Sequence, residues 1–188
     1  METARPELPA TPTPAMPATA ATPPAVVRRG FDAWPLGVAL IALILDQTTK
    51  AAVIAAFGPP GLGNAHAVIP NLVEFRHEQN TGSAFSLFQG RNTFLLLVGV
   101  IVIGLLVYYY RAMPRGKPVL RIAVGAVVGG AIGNLVDRIR LGHVTDWIHV
   151  YSPGVFNYPT FNVADSCISV GMITIALYLF FADRAPTR

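Results

Sequence analysis

"TFLLLVGVIVIGLLVYYY", residues 93–110, carries no charge and closes on three tyrosines followed by Arg111. A hydrocarbon core about 30 Å thick is crossed by roughly 20 apolar helical residues, and aromatic rings gather at its edges. The stretch therefore reads as a transmembrane helix, and it sets the class of the chain. The composition agrees: 188 residues, 53% hydrophobic and only 13% charged, with a mean hydropathy of +0.50. A soluble domain carries about 25% charged residues.

Three further spans follow outward from this one. The run Trp34 to Leu45 is too short to cross alone, so the first span continues through "DQTTK" (46–50) to about Phe57, which puts polar residues inside a membrane helix. A third runs from about Val119 to Val136 and a fourth from about Val163 to Ala182. Basic residues cluster before span one (Arg28, Arg29), between spans two and three (Arg111, Arg115, Lys117, Arg121) and after span four (Arg184, Arg188). By the positive-inside rule, both termini and the 111–121 connection are expected in the cytoplasm, with the connections 58–92 and 137–162 outside. Leu72, Val73 and Phe75 alternate with polar residues in the first of these, predicting a few short strands at the outer surface.

The expected organisation is a disordered cytoplasmic tail over residues 1–30, a four-helix membrane domain over 31–184, and a cytoplasmic end at 185–188. The tail is rich in Pro, Ala and Thr and cannot bury enough apolar surface to offset its ordering entropy. "RRGF" before an apolar run imitates a secretory signal. Asp46 and Lys50 within that run, and the lack of a cleavage site, argue that span one stays in the mature chain. The net charge of +4 is distributed as topology signals, with no basic stripe interleaved with aromatics, so nucleic acid is not an expected partner. The single cysteine, Cys167, excludes an intrachain disulfide and lies in apolar surroundings that suit an inert thiol. Gly125, Gly129 and Gly133, spaced by four with Gly130 beside them, predict a seam of close helix packing.

Ionisable groups inside spans are expensive and usually face the bundle. Asp46, Thr49 and Lys50 share one face of span one, where an ion pair that orients the helix is the simplest reading. "GNLVDR" puts Asn134, Asp137 and Arg138 within one turn at the end of span three. There Asp137 suits a juxtamembrane salt bridge, and Arg138 suits a carboxylate or a substrate carbonyl. Asp146, in "HVTDWIHV", reads by itself as a turn or helix-cap carboxylate. Asp165 reads as the third residue of a capping box opened by Asn162. Yet Asp146 and Asp165 lie at one rim, on a connection long enough to double back. Two acids brought within about 3 Å share a proton, supplying one base for a water and one acid for a carbonyl or leaving amine. Other chemistries are thinner: His66, His77, His143 and His149 form no H-E-x-x-H, no metal site is expected, and Ser83 lacks a G-x-S-x-G frame. A proton-coupled carrier would need a midplane site between repeated halves, and no internal repeat is present. A scaffold would account for the glycines but not for two acids at one rim.

"DQTTK", "NTGSAFS" (80–86), "GGAIGNLVDR" (129–138), "VTDW" (144–147) and "FNVADS" (161–166), in that order, resemble the motif set of the lipoprotein signal peptidase (signal peptidase II) family over about residues 34–182. The resemblance implies an all-α integral membrane protein, four transmembrane helices with a small extracytoplasmic β-sheet cradle, in the bacterial cytoplasmic (inner) membrane. It implies an aspartic endopeptidase that removes the signal peptide from diacylglyceryl-modified prolipoproteins just before the lipidated cysteine, at the outer face. By motif position, Asp146 and Asp165 would be catalytic. Asn80, Gly82, Asn134, Asp137, Arg138, Asn162, Asp46 and Lys50 would shape or contact the substrate site. The implied partners are lipid-modified prolipoproteins and membrane lipids; no cofactor is implied, and a monomer is expected.

Overall fold

The computed structural model of the chain describes residues 33–61, 63–82, 90–111, 113 and 116–182. The expected tail, Ser83 and the 185–188 end lie outside the described residues. Among the described residues, four helices are long and apolar enough to cross a membrane: α1 (Trp34–Phe57), α2 (Asn92–Tyr110), α3 (Pro118–Leu141) and α4 (Val163–Ala182). Four strands fill the connections: β1 (Ala65–Ile69) and β2 (Val73–Asn80) between α1 and α2, and β3 (Val144–Ser152) and β4 (Phe156–Asn157) between α3 and α4. They form one antiparallel sheet in the order β1–β2–β3–β4. The chain is a multi-pass membrane protein with a small sheet at one end of its bundle.

The α1, α2 and α4 spans match their sequence expectation closely, because the apolar runs have clear ends. Two differences stand out. α3 runs on past Val136 through Asp137 and Arg138 to Leu141, so the connection expected to begin at residue 137 starts later. The charged turn stays helical because Asp137 finds partners inside the bundle, and the helix stops only at Gly142, whose φ of 78° suits a residue without Cβ. Strands were expected only in the first connection, yet β3 is the longest strand and occupies the second. Its residues Val144 to Trp147 are all buried, so it lacks the polar alternation that marks a half-exposed strand.

α3 is the hub and packs against α1, α2 and α4. The glycine seam explains how. A Cβ at Gly125 or Gly129 would run into the α1 backbone at Pro35 or Ala39, and one at Gly133 would strike the Asp46 carboxylate. Gly130 faces the other way, against the Ala164 carbonyl of α4. Backbones this close gain the packing that drives association in lipid, where apolar surface alone does not.

Candidate active site

A buried charge cluster supports the site from within the bundle. Lys50 Nζ lies 2.8 Å from Asp46 Oδ2, 2.9 Å from Asp137 Oδ2 and 2.9 Å from Asn134 Oδ1. An ammonium has three donors, and all three are used. Lys50 is 2% exposed and Asp46 0%, so neither charge would be tolerated here without the other. Two carboxylates face one ammonium, and Gln47 Nε2 contributes further hydrogen bonds to Asp46 Oδ2 at 3.2 Å and Asp137 Oδ1 at 3.0 Å.

The same carboxylates reach upward. Asp46 Oδ1 accepts the Ala164 N–H at 3.0 Å, so a side chain of α1 ties down the first turn of α4. Asp137 Oδ2 accepts the Thr145 N–H at 3.1 Å and fixes the start of β3. Ala164 precedes Asp165 and Thr145 precedes Asp146. One cluster therefore anchors both segments that carry the candidate acids.

Asp165 completes a capping box: its N–H is held by Asn162 Oδ1 at 2.9 Å, and its Oδ2 accepts the Asn162 N–H at 3.3 Å. Its Oδ1 accepts Asn134 Nδ2 at 2.8 Å. Asp146 accepts Asn162 Nδ2 at 2.6 Å on Oδ1 and Asn80 Nδ2 at 2.9 Å on Oδ2. Asn162 Nδ2 also lies 3.2 Å from Asn134 Oδ1, so two asparagines link the two acids. Burial, and next the neighbouring Asp165, push the Asp146 carboxyl up to about 7, against the hydrogen bonds from Asn80 and Asn162.

Both acids line a cavity of about 780 Å³. Its lower walls are apolar, with Val98 and Val102 from α2, Val127 and Leu135 from α3, and Ile168 and Met172 from α4. Its rim is polar, with Arg76 and Glu78 of β2 in an ion pair of 2.8 Å. Arg138 also lines it, with Nη2 donating to the Gly82 carbonyl at 2.9 Å, and the Gly82 N–H donates to Asn80 Oδ1 at 2.9 Å. His149 is engaged by Glu74 and Asn157, and His77 by the Gly58 carbonyl.

The simplest structural readings of Asp46 with Lys50, of Asp137 and of Asp165 all describe real contacts. Asp165 lines the cavity with Asn80, Asn134, Arg138 and Asp146, whereas Asp46, Lys50, Asp137, Gly82 and Asn162 do not line it and touch residues that do or that adjoin them. One reading is corrected: Asp146 is neither in a turn nor at a helix cap. It lies within β3, opposite Glu78 of β2, where the strand's hydrogen bonds hold its backbone. Sequence reasoning passed over Gln47, although an uncharged polar residue inside a span is itself a signal. It also passed over Thr145, whose role runs through its backbone and leaves no mark on residue type.

The chain matches the family model described as signal peptidase (SPase) II over residues 38–181, a stretch holding every site residue from Asp46 to Asp165. The chain belongs to the signal peptidase II family. Relatives include lipoprotein signal peptidases of Staphylococcus carnosus (strain TM300), 33% identical over 82% of this chain and 94% of the relative, and of Clostridium novyi (strain NT), 36% identical over 76% and 94%. A bacterial membrane enzyme structure solved by the in meso method at 2.3 Å resolution superposes with a TM-score of 0.74 and 28% identity, covering 84% of this chain and 95% of that one. Signal peptidase II membership rests on the family model and the relatives, and the bundle is similar to that of a solved bacterial membrane enzyme.

Proposed function

We propose that this chain is the aspartic endopeptidase that cleaves the signal peptide from diacylglyceryl-modified prolipoproteins, before the lipidated cysteine, with Asp146 and Asp165 as its catalytic pair. The observation that carries the reading is the single cavity lined by both acids, polar at its rim and apolar below. Such a shape suits a substrate whose signal helix lies among membrane spans and whose scissile bond lies at their edge.

Near neutral pH the pair holds one proton between them, since Asp146 titrates at about 7 beside a second buried carboxyl. The ionised member takes a proton from a water as its oxygen attacks the scissile carbonyl carbon, and the protonated member hydrogen-bonds the carbonyl oxygen. Collapse of the tetrahedral species passes a proton from the pair to the departing cysteine nitrogen, which leaves as an amine, while the signal peptide leaves as a carboxylic acid that then ionises to solvent, so the pair is back to its single proton. Asn80, Asn134 and Asn162 orient the acids. Arg138, beside Gly82, is within the cavity to hold a substrate backbone carbonyl. Asp46, Lys50 and Asp137 shape the site through the anchors at Ala164 and Thr145.

The basic residues Arg111, Lys117 and Arg121 lie at the bundle end away from β3. The positive-inside rule then supports a cytoplasmic α2–α3 connection and an extracytoplasmic sheet that cradles the substrate, in the bacterial inner membrane. The chain acts as a monomer with water as co-substrate, without metal or cofactor. The test uses purified protein in detergent with a diacylglyceryl prolipoprotein and, separately, its unlipidated form. Cleavage of the lipidated form alone is expected, and Asp146→Asn or Asp165→Asn should lower it by about a thousandfold or more while membrane insertion persists. Cleavage by either variant at the wild-type rate refutes the dyad.

A further inference from the structure

A second groove adjoins the main cavity. It measures about 430 Å³ and is lined by Val150 of β3, Phe156 of β4, Tyr158, Phe161 and, from α4, Asp165, Ser166, Ser169 and Val170. Tyr158, Phe161, Asp165 and Ser169 line both spaces, so the two meet at Asp165, on adjoining faces of the first turns of α4. The groove is apolar in character. Ser166 Oγ donates to the Asn162 carbonyl at 3.0 Å, so its hydroxyl is spent on the helix backbone. Val170 is 65% exposed and Phe156 46%, which leaves the groove open toward lipid.

We propose that this groove holds one acyl chain of the substrate's own diacylglyceryl group. The proposal rests on the prolipoprotein reading above. That substrate presents two bulky apolar parts on either side of one bond: the signal helix before the scissile carbonyl, and the lipid on the cysteine after it. They cannot share one volume. The larger space, walled by three membrane helices, fits the helix. The smaller groove shares Asp165 with the larger space and adds Val150, Phe156 and Val170, which the larger space lacks, so it offers a chain tethered to the adjacent cysteine a separate apolar volume. An acyl chain gains little affinity by leaving a bilayer of like chemistry. Its contribution is positional: with one chain seated, the cysteine nitrogen is held over the acid pair.

The test labels the groove directly. A prolipoprotein with a diazirine midway along one acyl chain is irradiated with the D146N protein, and the labelled residues are mapped. Label at Val150, Phe156 or Val170, which line only the smaller groove, is expected. Label confined to Val98, Val102 and Met172, or the same pattern from a diazirine phospholipid without peptide, overturns the proposal; the latter would mark a groove for bulk membrane lipid. In a second arm, V170W and F156W narrow the groove, and kcat/KM is compared for substrates with long and with acetyl chains. The long-to-acetyl ratio should fall about tenfold, and an unchanged ratio is the contrary result. Labelling reads occupancy without turnover. Failure of the acid pair as catalyst would therefore show as cleavage by the D146N and D165N proteins, whatever the labelling pattern.

Discussion

The side chain of Asn162 donates to Asp146 Oδ1 at 2.6 Å while its Oδ1 caps the helix that carries Asp165. The residue therefore has two separable tasks, a cap for α4 and a bridge between the acids. Serine at this position can cap but is too short to span to Asp146. Asn162→Ala should cost about 0.5–2 kcal/mol of stability, the usual loss of an N-cap, and Asn162→Ser should regain most of it. Both should lose about a hundredfold in kcat, because the bridge that fixes the acids is gone in each. Thermal unfolding in detergent, run beside a cleavage assay, separates the two effects. Recovery of activity with the serine variant would reduce Asn162 to a helix cap.

Asp146 links catalysis to stability through pH. Its folded-state carboxyl holds its proton up to about 7, whereas the unfolded chain releases it near the ordinary 3.8. The stabilisation from the neutral form is complete below 3.8 and is lost as pH rises to about 7, after which the curve is flat. Asp146→Asn stays neutral throughout. One amide of the variant faces two donors, from Asn80 and Asn162, so it forfeits a hydrogen bond at every pH. Measured against this variant, wild-type stability should fall by up to about 1.4 kcal/mol per pH unit between pH 4 and 7. A difference independent of pH would show that Asp146 is ionised throughout. Wild-type kcat/KM should decline above about pH 7 as the last proton leaves the pair.

Four spans were legible because length and apolarity leave few alternatives to a crossing helix, and the seam at Gly125, Gly129 and Gly133 was legible from its period. Asp146 and Asp165 were legible as candidates because acids at a membrane rim are costly and because they fall in the motifs "VTDW" and "FNVADS". Their link was not. Asn162 and Asn134 are ordinary polar residues whose bridging depends on contacts across 28 and 31 positions of chain. β3 was missed because its buried stretch mixes Thr, Asp and Trp without alternation, and its hydrogen bonds come from β2, remote in sequence. α3 was drawn too short because Asp137 and Arg138 look like an exit from the membrane until Lys50 is seen to meet the first of them.

The Lys50 cluster predicts an asymmetry. Lys50→Met removes the ammonium and leaves Asp46 and Asp137 as buried carboxylates, with Gln47 as the remaining side-chain donor described for both. Breaking one partner of a buried pair costs about 3–5 kcal/mol, so this variant should be recovered poorly from membranes. Replacing Asp46, Lys50 and Asp137 together by Asn, Met and Asn removes the unpaired charges and should restore much of the folded yield. Activity should stay low, since the neutral amides hold Ala164 and Thr145 less firmly than carboxylates do. Yields that rank the single variant above the triple one would show that the lysine is not what the carboxylates need.

Gly133 tests whether the packing seam and the chemistry are one structure. A Cβ there would sit 2.5 Å from Asp46 Oδ2, so Gly133→Ala must push α1 from α3 or turn the carboxylate that holds Ala164. Overpacking of this kind costs about 1–3 kcal/mol. Turning Asp46 would also shift the first turn of α4, and Asp165 with it. Gly104 on α2 supplies the control, since a Cβ there meets nothing within 4 Å and alanine is the better helix former by about 1 kcal/mol. Gly104→Ala should therefore leave cleavage intact and unfolding temperature equal or higher. Gly133→Ala should lower the unfolding temperature and depress kcat more than KM, because the displaced group is an acid rather than a wall of the substrate cavity. A loss expressed in KM alone would place the strain in the substrate groove and separate the seam from the acids.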